Sequence, residues 1–225
     1  MEDKSIVYQA VSLMDRYYNQ KDLQAKPHSD AFLTGFTSIF IASKNSEVEP
    51  ISLSDVKNHL LQGNYSRQQI LLKENHIRKA SNYENEVTTM FDYIMLYMKI
   101  WKVACQTKIG AKHHHYVSTY KFICEVESTA YDFTKSLLID AESLKHKGSI
   151  MVAAIVSVSI EIIFQSKIDE RKKDIYVDQA GQKVLPILTH MEQCNKVWDS
   201  ILKRMFGKGS IEFLDSFGRY LFLRQ

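Results

Sequence analysis

Residues that interrupt helices are scarce in this chain. Its 225 residues include 8 Gly and 3 Pro, and long apolar patterns run between them without a break. A β-sheet fold with many turns needs these residues often, so their scarcity favours helices. Hydrophobic residues make up 45% of the chain, which is enough to fill a core and argues against disorder. We therefore expect an all-α fold.

Charge and cysteine content narrow the class of protein further. The formal net charge of +3 is too small to indicate nucleic acid as a partner. Three widely spaced cysteines form neither a disulfide framework nor a zinc pattern. The N-terminus lacks the order of a signal peptide, and the apolar stretch 150–164 is shorter than the ~20 residues that span a bilayer. We expect an intracellular protein, in the nucleus, the cytoplasm or both, with no membrane partner.

Helical periodicity recurs in two series along the chain. The first series predicts helices over 6–18, 30–44, 52–61 and 66–79. The second predicts helices over 88–103, 126–139, 149–164, 174–180 and 184–206, with a polar loop at 106–114 and a last helix at 211–223. Each series contains one helix that is apolar on most sides and should lie at the centre of a bundle. We therefore expect two tandem helical bundles, residues 1–83 and 84–206, followed by a C-terminal helical tail, 207–225.

Ordered motifs in the first bundle resemble those of a known family. An Asp-Arg-aromatic helix end falls at Asp15, and an Ala-x-Lys-x-x-Glu helix end supplies Lys44 and Glu47. A Tyr-Ser-x-x-x-Ile helix entry then starts at Tyr65 and leads to Glu74. In this order the motifs resemble the cyclin box of the cyclin family.

The second bundle carries a shorter match. Residues 136–144 contain Asp140 at a helix end, and the apolar run 149–154 follows. This is similar to the C-terminal box of mitotic-type cyclins, so the resemblance covers most of the chain, from about residue 6 to 206. It implies that Asp15 and Asp140 have structural roles at the ends of corresponding helices.

The resemblance implies a function and a set of contact residues. Cyclins are not enzymes; they bind a cyclin-dependent protein kinase and hold its mobile helix in the active position. Lys44 and Glu74 match the paired Lys and Glu at the family's kinase contact, with Glu47 nearby. Tyr83 falls where the family often has an aromatic that packs on the kinase. Without the resemblance, Lys44 and Glu74 would be interpreted as an ordinary surface ion pair, because such pairs are common and weak. Only the resemblance favours a kinase contact.

Several positions depart from the family pattern. Asn45 replaces an apolar or aromatic residue after the Lys, and Arg78 replaces a Leu one turn after the Glu. Both changes remove apolar surface from the implied kinase contact. Phe32 replaces the Gln that docks substrates in the family, so substrate recruitment is not implied for this chain.

The start of the first box also departs from the pattern. The family's box opens with a helix whose Arg pairs with the Asp at the position of Asp15. Residues 1–5 are too few for that helix, so we expect the first box to lack it. The apolar sides of the helices at 6–18 and 30–44 then need a cover. The C-terminal helix at 211–223, a second protein chain or an upstream segment are the candidates.

Two principal functions remain open from the sequence. The first is a cyclin-like regulatory subunit that binds and activates a cyclin-dependent kinase. The second is a cyclin-fold adaptor, a structural subunit of a larger complex that no longer activates a kinase. A two-box transcription factor would need a continuous basic stripe, which the sequence lacks. No phosphate loop, nucleophile elbow, metalloprotease motif or paired catalytic carboxylates occur, so we expect no catalytic residue, cofactor, metal or small-molecule substrate.

The run Lys73-Glu74-Asn75 spells a KEN degradation signal. Such signals act in extended, exposed chain, whereas this run lies inside the helix predicted at 66–79. We therefore interpret the run as part of a helix, with structural roles for its side chains.

Overall fold

The structure is a computed structural model, and it describes residues 5–20, 30–46, 49–83, 88–109, 113–140, 146–175 and 185–207. These ranges contain helices and connecting turns but no β-strand. The α-helices are α1 Ser5–Tyr18, α2 Ala31–Ser46, α3 Leu53–Asp55, α4 Arg67–Ala80, α5 Met90–Ile109, α6 His113–Leu137, α7 Gly148–Ile175 and α8 Leu185–Phe206. A π-helical segment, Val56–Leu60, continues α3. The expected all-α fold is confirmed.

The chain divides into two compact units, residues 1–91 and 92–225. In the first unit, α2 lies at the centre, with α1, α4 and the π-helical segment packed against it. Its residues Leu33, Phe40 and Ile41 are buried. Burial of a large apolar side chain contributes about 1.5–3 kcal/mol, so a helix that is apolar on most sides is stable only when neighbours surround it.

The segment between α2 and α4 positions the start of α4. Gln62 and Gly63 adopt positive φ angles of 52° and 73°, which turn the chain after the π-helical segment. Ser66 then caps α4: its Oγ accepts the N–H of Gln69 at 3.2 Å, and the Gln69 side chain accepts the N–H of Ser66 at 2.7 Å. This reciprocal capping box satisfies two backbone donors at the helix start.

In the second unit, α7 is the buried helix, and α6 and α8 pack against it. Every residue from Met151 to Val156 is buried. Buried indole N–H groups have partners in this core, as they must to avoid a desolvation cost. Trp101 Nε1 donates to the carbonyl of Cys194 at 3.0 Å, and Trp198 Nε1 donates to Ser157 Oγ at 2.9 Å.

One segment of α7, Gly148–Asp169, is long and apolar enough to cross a membrane by length and composition. Half of its most apolar window is buried inside the unit. Polar residues Ser157, Ser159 and Glu161 interrupt its apolar pattern. Central helices of helical bundles share these properties, so the segment is explained by its packing against α6 and α8.

Several boundaries in the second series were predicted wrongly. The polar loop expected at 106–114 is partly helical, because α5 continues to Ile109 and α6 begins at His113. The charged residues after 164 continue α7 to Ile175. Polar residues on the outer face of a helix resemble a loop when the sequence is read alone. The short helix predicted at 174–180 falls almost entirely outside the described residues, as does the helix at 211–223, and the domain limits at 83 and 206 stay predictions.

Loss of the Ser66 cap should destabilise the first unit. We expect Ser66→Ala to lower the free energy of unfolding by about 1 kcal/mol, because the N–H of Gln69 loses its acceptor. Urea denaturation followed by circular dichroism measures the change. Ser66→Asp keeps a capping oxygen and serves as the matched control. Equal stability of wild type and Ser66→Ala would contradict a stabilising cap.

Candidate partner-binding site

A charged cluster joins the end of α2 to the middle of α4. Lys44 lies in the last turn of α2, and its Nζ is 3.8 Å from the centre of the Phe40 ring. The same Nζ donates to both carboxylate oxygens of Glu74, at 2.9 and 3.0 Å. The structure thus brings together Lys44 and Glu74, which are 30 residues apart in sequence.

Arg78 completes the cluster from one turn further along α4. Its Nε and one terminal nitrogen are both 3.0 Å from Glu74 Oε1. The sequence interpretation treated Arg78 as a loss of apolar surface. In the structure it is also a second cation bound to the same carboxylate.

The cluster is suited to donate hydrogen bonds rather than to accept them. The Glu74 side chain is 11% exposed and is held by both cations, whereas the side chains of Lys44 and Arg78 are 34% and 24% exposed. An ammonium has three N–H donors and a guanidinium five, so both cations keep donors after binding Glu74. Two cations around one carboxylate leave a local charge of +1. Such a surface fits carbonyl oxygens at the end of a partner's helix, or a partner's carboxylate.

The remaining predicted contact residues lie near the cluster in sequence. Asn45 is exposed next to Lys44. Tyr83 is 58% exposed, has a positive φ of 59°, and its hydroxyl donates to Asn75 Oδ1 at 3.4 Å. Glu47 lies outside the described residues.

In the second unit, Asp140 is half-buried in the turn after α6, where its N–H donates to the carbonyl of Leu137 at 3.1 Å.

A second ion pair, in which the lysine is buried, was missed by the sequence interpretation. Lys73 is 7% exposed; its Nζ pairs with Asp30 and lies 3.0 Å from the hydroxyl oxygen of Tyr17. Burial alone would lower the pKa of Lys73, but the hydrogen bonds to Asp30 and Tyr17 outweigh it and raise the pKa above its usual value. The contacts of Lys73 with Asp30 and with the Tyr17 ring form only when three distant segments fold together.

The KEN run has structural contacts along its whole length. Lys73 binds Tyr17 and Asp30, Glu74 binds Lys44 and Arg78, and Asn75 accepts from Tyr83. All three residues lie inside α4. The helical conformation expected for this run is confirmed.

Asp15 is partly buried near the end of α1. Burial raises the pKa of its carboxyl above the ordinary value of 3.8. Within the described part of the chain, no ion pair involves this carboxylate. Its structural role stays a prediction, although its burial agrees with a position at a packing surface.

The architecture and the charged cluster together define a helical domain of the cyclin-box class, with one central helix and a Lys–Glu pair between two of its helices. Residues 3–84 match the family model described as the cyclin N-terminal domain. The chain therefore carries a cyclin N-terminal domain, which confirms the resemblance to the cyclin family for this part of it. Cyclins are regulatory, non-catalytic proteins that typically partner with kinases. A search of curated proteins found no match to the chain.

Stability should depend on pH through Asp15. Because its folded-state pKa is raised above 3.8, there is a pH window in which the unfolded chain has lost this proton and the folded state still holds it. Ionisation of Asp15 at higher pH therefore costs stability. We expect Asp15→Asn to be more stable than wild type at pH 7 and equally stable near about pH 3, where both states are protonated.

Urea denaturation of both proteins at the two pH values measures this difference. Asp132→Asn, at an exposed position of α6, is the matched control and should show little change. An Asp15→Asn variant that is less stable than wild type at pH 7 would mean that the carboxylate makes a stabilising contact.

Proposed function

We propose that this protein is a cyclin-like regulatory subunit that binds and activates a cyclin-dependent protein kinase, and has no catalytic activity of its own. The observation that carries the proposal is the Lys44–Glu74 pair, inside a domain that matches the cyclin N-terminal model. A kinase acts in the nucleus or the cytoplasm, and we propose the same location for this chain.

The geometry of the pair supports a role at an interface. Glu74 is held from two sides, so it fixes the position of the Lys44 ammonium above the Phe40 ring. A donor whose position is fixed before binding loses little conformational freedom when a partner docks. Lys44 then donates to acceptors on the kinase helix, while α2 and α4 provide a rigid platform beneath it.

Kinase binding is tested by affinity purification of the tagged full chain, with mass spectrometry of co-purifying proteins. We expect a cyclin-dependent kinase with the wild type, and binding weakened by about 30-fold or more in Lys44→Ala, because the partner's acceptors lose a buried charged donor. Arg67→Ala, which removes an exposed positive charge elsewhere on α4, should bind as the wild type does. Phosphorylation of a peptide substrate by the recovered complex tests activation.

Loss of binding must be separated from loss of folding. Lys44 is 34% exposed, and Arg78 still pairs with Glu74 in its absence. Lys44→Ala should therefore change the free energy of unfolding by no more than about 1 kcal/mol. Urea denaturation measures it, and a much larger loss would identify the pair as mainly structural.

The adaptor is the second candidate, and the Arg78 contact favours it. Arg78 occupies Glu74 Oε1 through two nitrogens, which reduces the capacity of Glu74 to accept hydrogen bonds from a partner. If the protein is an adaptor, the wild type and Lys44→Ala should recover the same structural proteins in equal amounts. Neither should recover a kinase. That result would overturn the activator proposal.

A further inference from the structure

An exposed apolar row runs along α5 in the second unit. It consists of Leu96, Ile100 and Val103, which are 48%, 36% and 55% exposed. Their spacing of i, i+4 and i+7 places them on one side of the helix. Lys99 and Gln106, which are exposed and polar, border the row. A continuous apolar surface with a polar border indicates a binding surface, whereas single exposed apolar side chains are normal.

Two other sides of α5 are packed against neighbouring helices. Lys102 Nζ pairs with Glu127 of α6 at 2.7 Å, and Trp101 Nε1 donates to the carbonyl of Cys194 in α8. Lys102 and Trp101 are adjacent in sequence, so they point in directions about 100° apart. The apolar row lies on the third side of α5, next to the sides that face α6 and α8.

The end of α8 lies beside this row. The two helices run antiparallel, because the middle of α8 contacts Trp101, whereas its last residue, Phe206, has its ring centre 6.3 Å from that of Tyr97. Tyr97 precedes Ile100 by three residues, so the two side chains are neighbours on the surface of α5. Gly207 then adopts a positive φ of 74°, which ends α8 and turns the chain. The segment that follows residue 207 therefore starts next to the row.

The sequence of that segment has an apolar pattern that matches the row. At 211–223, the sequence predicts a helix with apolar residues on one side and charged residues on another. The apolar side comprises Phe213, Leu214, Phe217, Tyr220 and Leu221, and the charged side comprises Glu212, Asp215 and Arg219.

The lengths also agree. A helix rises about 12 Å from residue 213 to residue 221 and about 10 Å from Leu96 to Val103, at 1.5 Å per residue. The residues 207–212 span up to about 20 Å when extended, which exceeds the 8–10 Å that typically separates the axes of packed helices. The segment can therefore reverse direction after α8 and lie along α5.

We propose that residues 211–223 form an amphipathic helix that covers the Leu96–Ile100–Val103 row of α5 and packs beside α8. Docking removes the apolar sides of both helices from water, which is favourable. It also prevents other chains from associating through the row. The row and the segment contain no residue of the Lys44–Glu74–Arg78 cluster, so this inference does not depend on the proposed kinase contact.

Alkylation rates of introduced thiols in the full chain test the proposal. Val103→Cys places a thiol in the row, and Leu72→Cys on α4 is the matched control, because Leu72 is 57% exposed and Val103 55%. We expect iodoacetamide to modify Val103→Cys at least about tenfold more slowly than Leu72→Cys, because docking of the segment protects it. Mass spectrometry of the peptides separates each introduced thiol from the natural cysteines.

Substitutions in the segment show whether it provides this protection. Adding Phe217→Asp should raise the rate at Val103→Cys to that at Leu72→Cys, because a charge on the apolar side opposes docking. Arg219→Ser, on the charged side of the segment, should preserve the protection. Circular dichroism of each variant checks that the helices are retained. Equal rates for the two thiols in the otherwise unchanged chain, or protection that survives Phe217→Asp, would overturn the proposal.

Disulfide trapping identifies the occupant directly. Ile100→Cys combined with Phe217→Cys should form an intramolecular disulfide under oxidation by copper phenanthroline, because docking brings the two positions together. Phe32→Cys combined with Phe217→Cys should not. Trapping with Phe32→Cys alone would place the segment against α2 and contradict the proposal. Protection of Val103→Cys that increases with protein concentration would identify a second copy of the chain as the cover and would also contradict it.

Discussion

Two neighbouring residues of α4 connect it to both ends of α2. Lys73 pairs with Asp30, which precedes α2, and Glu74 pairs with Lys44 in the last turn of α2. Adjacent residues of a helix point in directions about 100° apart. Lys73 and Glu74 can therefore reach opposite ends of α2 from the same turn of α4. Apolar packing beneath these pairs includes Ile41 and Ile77, which are buried in the same cluster. Ion pairs at both ends therefore add, to this apolar packing, contacts that depend on the register in which α2 and α4 cross.

This constraint links stability to the candidate binding site. In the first pair Lys73 is the buried partner and Asp30 is partly exposed, whereas in the second Glu74 is the buried partner and the Lys44 donor lies partly at the surface. In the proposed function, the replacement of an apolar residue by Arg78 changes the chemistry that this surface offers to a partner. An apolar contact selects partners by shape, whereas a second cation around Glu74 favours carbonyl or carboxylate acceptors. The proposed kinase contact therefore differs in chemical character from the apolar one that the family resemblance implies.

The central helix also separates two surfaces of the first unit. Its last turn supplies Lys44, while Phe32, Phe36 and Ile39 line an apolar groove of about 300 Å³ between α1 and α2. Both surfaces depend on the burial of the residues between them, such as Phe40 and Ile41. One helix that is apolar on most sides thus supports the unit and contributes to both surfaces.

The sequence by itself determined the helical class and the order of the helices, and its resemblance to a known family implied the pairing of Lys44 with Glu74. These depend on local periodicity, on the Ser66 cap and on motif order, all of which are visible in one dimension. It could not place the ends of α5, α6 and α7, because polar residues on the outer side of a long helix resemble a loop. The tertiary structure alone decided that Lys73 is buried against Tyr17 and Asp30, that Arg78 shares Glu74 with Lys44, and that α1 and α2 leave an apolar groove. Each of these results from the packing of segments distant in sequence, whose crossing geometry no local pattern specifies.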